Sequence, residues 1–267
     1  MAGRRQIIVA VLTVAAALFA GSALAADPAI RQILAPSGAL RVALYTGTPT
    51  SILPDPRDGG PKGVGYDLGK ELASRLGVPF EPVVFSKNAE VLEAVKIGKA
   101  DIALTNATAA RAKEMDFGPP VFEVELGYLV PKGSALTALA AVDAAGMRVG
   151  VTAGSSSDAT LSRDLKNAEV VRATNFDAAI EMLSAGSLNA YATNKASLFE
   201  MSEKLPGSRV LDGRWGVERF AIGIPKGRDG GMAFIRRFTE AAKSEGLVKA
   251  AIMRAGLRGA MTSETQN

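Results

Sequence analysis

The sequence predicts an α/β fold built as two similar lobes, and three observations predict it. Short apolar strands alternate with amphipathic helices from about residue 40 to residue 255. Two stretches of the chain repeat each other in the same order. The chain has 267 residues, and about 242 of them follow the apolar N-terminus, enough for one large domain or two modest ones.

The elements run as follows. Leu40 to Tyr45 reads as a strand, followed by a helix over Asp67 to Leu76 with Leu68, Leu72 and Leu76 on one face, stopped by Gly77. Val83 to Phe85 is a strand, Asn88 to Ile97 a helix ending at Gly98, and Asp101 to Leu104 a strand. Pro119-Pro120 breaks the pattern, and Leu126 to Val130 resumes it as a strand. Arg148 to Val151 is a strand, and the next helix starts within Ser155-Ser156-Ser157-Asp158. Val170-Val171, the helix Phe176 to Ala185 and the strand Leu188 to Ala192 follow. The chain finishes with a strand at Phe220 to Ile224 and helices over Met232 to Lys243 and Leu247 to Ala255.

The repeat is visible in register. Arg41-Val42-Ala43-Leu44-Tyr45-Thr46-Gly47-Thr48 lines up with Arg148-Val149-Gly150-Val151-Thr152-Ala153-Gly154-Ser155. Gly98 through Thr105-Asn106 lines up in the same way with Gly186 through Thr193-Asn194. The first unit is longer by an insertion, Pro49 to Gly63. Ligands of open α/β sheets sit beyond the carboxyl ends of the strands. Each unit offers a Gly-Thr/Ser turn and a Thr-Asn pair there, so two facing lobes would bring both sets together across a cleft.

Composition narrows the chemistry. The formal charge of +4 falls to about +2 without Arg4 and Arg5, and no basic block marks a nucleic-acid partner. The chain contains no cysteine, which excludes disulfides and thiolate chemistry. It contains no histidine either, which excludes a Ser-His-Asp triad, an imidazole base and histidine-bound zinc. Those two absences move the reading from catalysis toward binding. At the N-terminus Arg4-Arg5, the apolar run Ile7 to Ala20 and Ala23-Leu24-Ala25 spell a signal peptide cleaved before Ala26. The run falls short of the ~20 residues of a membrane-spanning helix. The paired arginines leave the general and the twin-arginine export routes both open.

Three segments carry a resemblance to a known family. Gly63-Val64-Gly65-Tyr66-Asp67-Leu68-Gly69-Lys70-Glu71-Leu72-Ala73, Thr108-Ala109-Ala110-Arg111-Ala112-Lys113-Glu114-Met115-Asp116-Phe117 and Arg148-Val149-Gly150-Val151 through Gly154-Ser155-Ser156 resemble signatures of the family 3 extracellular solute-binding proteins. The likeness runs from about Leu40 to Gly256. It implies a type II periplasmic-binding-protein fold with two crossover strands near Leu126 and Phe220. Residues 1–25 would be the signal peptide, 26–125 with 220–267 lobe 1, and 126–219 lobe 2. The implied protein is a periplasmic monomer without cofactor or metal, holding a small organic anion or amino acid and delivering it to an ABC transporter permease.

The same resemblance nominates site residues. Arg111 has the planar fork that grips a carboxylate, with Thr108 capping its turn, and in the family the matching arginine holds the ligand's α-carboxylate. Ser155 and Ser156 open a helix whose free N–H groups and dipole favour an anion. Asn106 and Asn194 complete the set. Asn194 stands where amino-acid binders usually carry an aspartate for the ligand's ammonium; an amide cannot neutralise a cation, though its oxygen can still accept a hydrogen bond. This substitution favours a carboxylate lacking the amine. The loop Thr48 to Leu53 is small and aliphatic in place of an aromatic cover, which points to a compact or aliphatic ligand. Glu123 and Glu125 could supply negative charge, but solvated strand positions explain them better. Two rivals stand beside the importer reading. One is a dehydratase-like enzyme, which needs a carboxylate beside the arginine. The other is a partner-binding or sensor module with a degenerate cleft.

Overall fold

The structure is a computed structural model that describes residues 27–54 and 60–261. The expected signal peptide and part of the insertion after Pro49 lie outside the described residues.

In the first half, helix α1 (Pro28–Leu34) leads into strand β1 (Leu40–Tyr45), a small hairpin β2 (Leu53–Pro54) and β3 (Pro61–Lys62), helix α2 (Val64–Leu76), β4 (Phe80–Phe85), α3 (Asn88–Lys96) and β5 (Ala103–Asn106). Then comes the long strand β6 (Met115–Val130). The second half holds β7 (Arg148–Thr152), α4 (Ser156–Asp164), β8 (Glu169–Ala173), α5 (Phe176–Ser184), β9 (Ala190–Asn194), α6 (Lys195–Lys204) and β10 (Arg209–Val210). The long strand β11 (Gly216–Pro225), helices α7 (Met232–Ser244) and α8 (Leu247–Ala255) and β12 (Ala260–Met261) close the chain.

Strands β6 and β11 run antiparallel through both halves of the molecule, from Gly216 opposite Leu126 to Pro225 opposite Met115. At one end β11 pairs with β5, and Ile102, just before β5, meets Val42 of β1 through a parallel bridge. Strand β1 pairs in parallel with β4. At the other end β6 pairs with β9, β9 with β7 in parallel, and β7 with β8 in parallel. Each βαβ half therefore hangs from one end of a shared two-stranded spine, which is the type II two-lobed arrangement the sequence implied.

Local chemistry explains most boundaries. In α2 the residues Leu68, Leu72 and Leu76 are spaced four apart and buried, and Gly77 ends the helix with φ of 72°. A core on the β1 side gathers Leu40, Val42, Leu72, Phe122, Phe220 and Ile235. Another on the β7 side gathers Tyr128, Val149, Val151, Leu161 and Ala192. Asp101 is fully buried at the foot of the first sheet, where it takes Arg41 and Arg228 at 2.7 Å each.

Pro119-Pro120 does not end the strand there. Residues 115–122 of β6 have β11 as their strand neighbour on one side only, and the register slips around Phe220 and Gly223. A strand with one free side has no ladder bond there for proline to remove. Helix α6 was not apparent in the sequence. Asn194 starts it by accepting the Ser197 N–H at 3.0 Å.

Candidate functional site

Between the two halves lies a cavity of about 70 Å³. The ends of β1, β5, β7 and β9 reach it, as the rule for parallel strands requires. Both copies of the repeat contribute at equivalent places. Thr48 follows Gly47 and Ser155 follows Gly154, with both glycines at positive φ (84° and 70°), a conformation that needs no Cβ. Thr105-Asn106 and Thr193-Asn194 close β5 and β9, and all four are buried.

Arg111 sits on a single 3₁₀ turn before β6. Thr108 accepts its backbone N–H at 3.2 Å, so the turn is capped as the sequence suggested. One guanidinium nitrogen donates to Thr105 Oγ1 at 2.7 Å and to the Asn106 carbonyl at 3.1 Å. Nε and the other terminal nitrogen have no partner among the described residues, and the head group lines the cavity. Burial lowers the Arg111 pKa, and the nearby Glu218 charge works against that shift. Glu114 pairs instead with Lys96 at 3.1 Å, leaving Arg111 its second face.

Ser155 is the N-cap of α4, accepting the Asp158 N–H at 3.0 Å. Asp158 then accepts the Gly154 N–H at 3.1 Å and pairs with Arg172 at 2.9 Å. Burial pushes the Asp158 carboxyl up, but Arg172, the Gly154 N–H and the Ser162 hydroxyl together hold it below the usual range. Ser156 is the first residue of α4, and its hydroxyl bonds to the Glu218 carboxylate in a very short contact.

Glu218 is the residue that sequence reasoning missed. It lies in β11, is 6% exposed, and is the one carboxylate among the described residues lining the cavity. The two repeat-related asparagines hold it from opposite halves of the molecule. Asn194 Nδ2 donates to one carboxylate oxygen at 3.0 Å, and Asn106 Nδ2 reaches the other at 3.5 Å. Strand alternation was the available signal, because Glu218 must face away from Arg219, which pairs outside with Glu123 at 2.8 Å.

Of the six residues singled out in the sequence, Asn106, Arg111, Ser155, Ser156 and Asn194 line the cavity. Thr108 lies outside it, in an open groove beside Arg111. Two expectations need correction. The oxygen of Asn194 already accepts from Ser197, so it is not the free acceptor that the sequence suggested. The loop after Gly47 lines the cavity with Thr48, Thr50 and Ser51, which are buried and polar, while Ile52 packs against the core. Tyr45 and Phe176 line the wall at a ring separation of 5.4 Å, and Phe122 is core, stacked on Phe220 at 4.9 Å. Glu123 and Glu125 are in pairs with Arg219, Lys195 and Arg214. Among the described residues no group of three or more acidic side chains is placed to hold a metal ion.

Two α/β lobes on a shared spine, with a charged and hydroxyl-rich cavity between them, define a cleft-type binding protein. The chain belongs to the bacterial extracellular solute-binding proteins of family 3, whose profile it matches over residues 40–254. It is 28% identical over 179 residues to a glutamine-binding protein of Geobacillus stearothermophilus, covering 65% of this chain and 68% of that one. It is 25% identical over 199 residues to the ABC transporter glutamine-binding protein GlnH of Bacillus subtilis, covering 73% and 72%. Among solved structures it is similar to a mutant of ArgBP from T. maritima, with a TM-score of 0.76 and 26% identity, covering 85% of this chain and 99% of that one.

Proposed function

We propose that this protein is the periplasmic amino-acid-binding component of an ABC importer. It would work as a monomer, without cofactor or turnover, and hand its ligand to a membrane permease. The observation that carries the reading is the half-satisfied guanidinium of Arg111 facing a cavity lined with hydroxyls and amides between the lobes. Nε and one terminal nitrogen remain for the two oxygens of a carboxylate. The α4 N-terminus with Ser155 and Ser156 favours the same anion from the other lobe. The names of the relatives support an amino acid and an ABC partner.

The cavity of about 70 Å³ has room for roughly five to seven waters at ~10–15 Å³ each, space for a small polar group. Past Tyr45 and Phe176 a second cavity of about 200 Å³ begins, bounded by Asp177, Glu200 and Lys204, where a longer side chain could extend. The lobe limits we adopt are 26–125 with 220–267 and 126–219. An enzyme would use Glu218 as its proton donor. Three groups already donate to that carboxylate, however, which leaves it engaged as a hydrogen-bond acceptor.

A thermal-shift panel on the mature protein, unfolded and refolded to strip bound solute, tests the reading. A cognate amino acid at 100 times its Kd should stabilise by about 2.7 kcal/mol and raise the melting temperature visibly. A protein that answers to none of the twenty amino acids would lose this assignment.

A further inference from the structure

The cavity holds one cation and one carboxylate among the described residues that line it, and they do not pair with each other. Arg111 contacts Thr105 and Asn106, while Glu218 takes Asn106, Asn194 and Ser156. No cation among the described residues is in ion-pair contact with Glu218, and no carboxylate with Arg111. The two are near enough for the carboxylate to be felt at the guanidinium. A buried carboxylate held only by neutral donors stays short of charge compensation, and burial without it is costly. The donors come from both lobes, so the carboxylate is fixed in position as the cleft closes. Both asparagines spend their amide nitrogens on this one group, and the oxygen of Asn194 is committed to the α6 cap.

We infer that Glu218, and not residue 194, is the acceptor for the ligand's ammonium, so that Arg111 and Glu218 together select a zwitterion. This rests on the amino-acid reading above and deepens it. A ligand whose carboxylate meets Arg111 and whose ammonium meets Glu218 neutralises both buried charges at once. An amine-free acid neutralises Arg111 alone and leaves Glu218 uncompensated. The preference for amine-free acids that Asn194 suggested in the sequence is thereby reversed. Ser156 donates to the same carboxylate, so the ammonium adds to an existing network rather than creating one.

Calorimetry on the refolded mature protein decides it. The twenty proteinogenic L-amino acids are titrated first. The tightest binder is then compared with its own des-amino acid, for example 4-carbamoylbutanoate for glutamine or propanoate for alanine. The des-amino acid should bind at least about 100-fold more weakly to the wild type. Glu218→Gln should weaken the amino acid by more than tenfold and change the des-amino acid by less than threefold, since shape is retained, the amide oxygen still accepts from one asparagine, and the Ser156 hydroxyl can turn to accept from the new NH2. A purely structural role for Glu218 would lower both equally. A des-amino acid within tenfold of its parent in the wild type overturns the inference, and so does a Glu218→Gln loss below tenfold. If that variant does not fold, Glu218→Ser is read against the same two thresholds. Absence of binding by any amino acid overturns the proposed function along with this inference, whereas binding indifferent to the amine overturns the inference only.

Discussion

Arg111 makes two side-chain hydrogen bonds to the protein and no ion pair among the described residues, so its removal should spare the fold. Arg111→Ala is expected to weaken amino-acid binding by about 100-fold or more, judged by the cost of losing one partner of a buried charge pair. Calorimetry beside an unchanged melting curve would show this. Asp158 allows a pH prediction. Its carboxyl is held below the usual range in the folded state, so its stabilisation is complete above the unfolded pKa and is lost as pH falls through the folded one. The melting temperature should therefore decline on acidification below about 4, and Asp158→Asn should flatten that part of the profile. Arg111 and the Ser155-Ser156 turn were legible in the sequence because a short motif carries each. Glu218 was not. A glutamate in Gly-Val-Glu-Arg-Phe reads as a solvated strand position, and only the closing of the second lobe over β11 buries it.

At the level of elements, helices with a clear apolar stripe and a glycine stop were readable to within three residues. Helix α8 was read without error and α2 began three residues earlier than its stripe showed. Helix α6 was hidden because its start depends on Asn194, a residue that reads equally well as the end of a strand. The long strand β6 was hidden by Pro119-Pro120, whose tolerance depends on which side of the strand is paired. The cap at Ser155 should be worth about 1 kcal/mol, so Ser155→Ala should lower thermal stability by that order before any effect on ligand. Gly63 precedes α2 with φ of 146°, and a Cβ there would lie 2.2 Å from the Ser51 carbonyl oxygen. Gly63→Ala should cost about 2 kcal/mol or more in a chemical denaturation curve.

Across the molecule, the lobes touch through their own side chains as well as through the cavity. Thr48 and Ser197 share a hydroxyl contact at 2.9 Å, and the Asn88 amide reaches the Gly154 carbonyl at 3.5 Å. Such contacts favour closure by an increment common to every ligand. Ser197, which also lines the cavity, is engaged by Thr48, so Ser197→Ala should weaken the amino acid and its des-amino acid alike by the worth of one hydrogen bond, about 0.5–1.5 kcal/mol. That pattern is distinct from the amine-selective loss expected at Glu218.

The spine of β6 and β11 also sets an order of assembly. The half built on β7, β8 and β9 is a continuous stretch of chain closed by β6 and β10, whereas β5 finds its partner only when β11 arrives more than a hundred residues later. A chain threaded from its N-terminus would finish the later-numbered half first and leave the earlier one waiting. Trp215, the single tryptophan, donates to the Gly127 carbonyl at 2.9 Å beside Tyr128 and watches that first step.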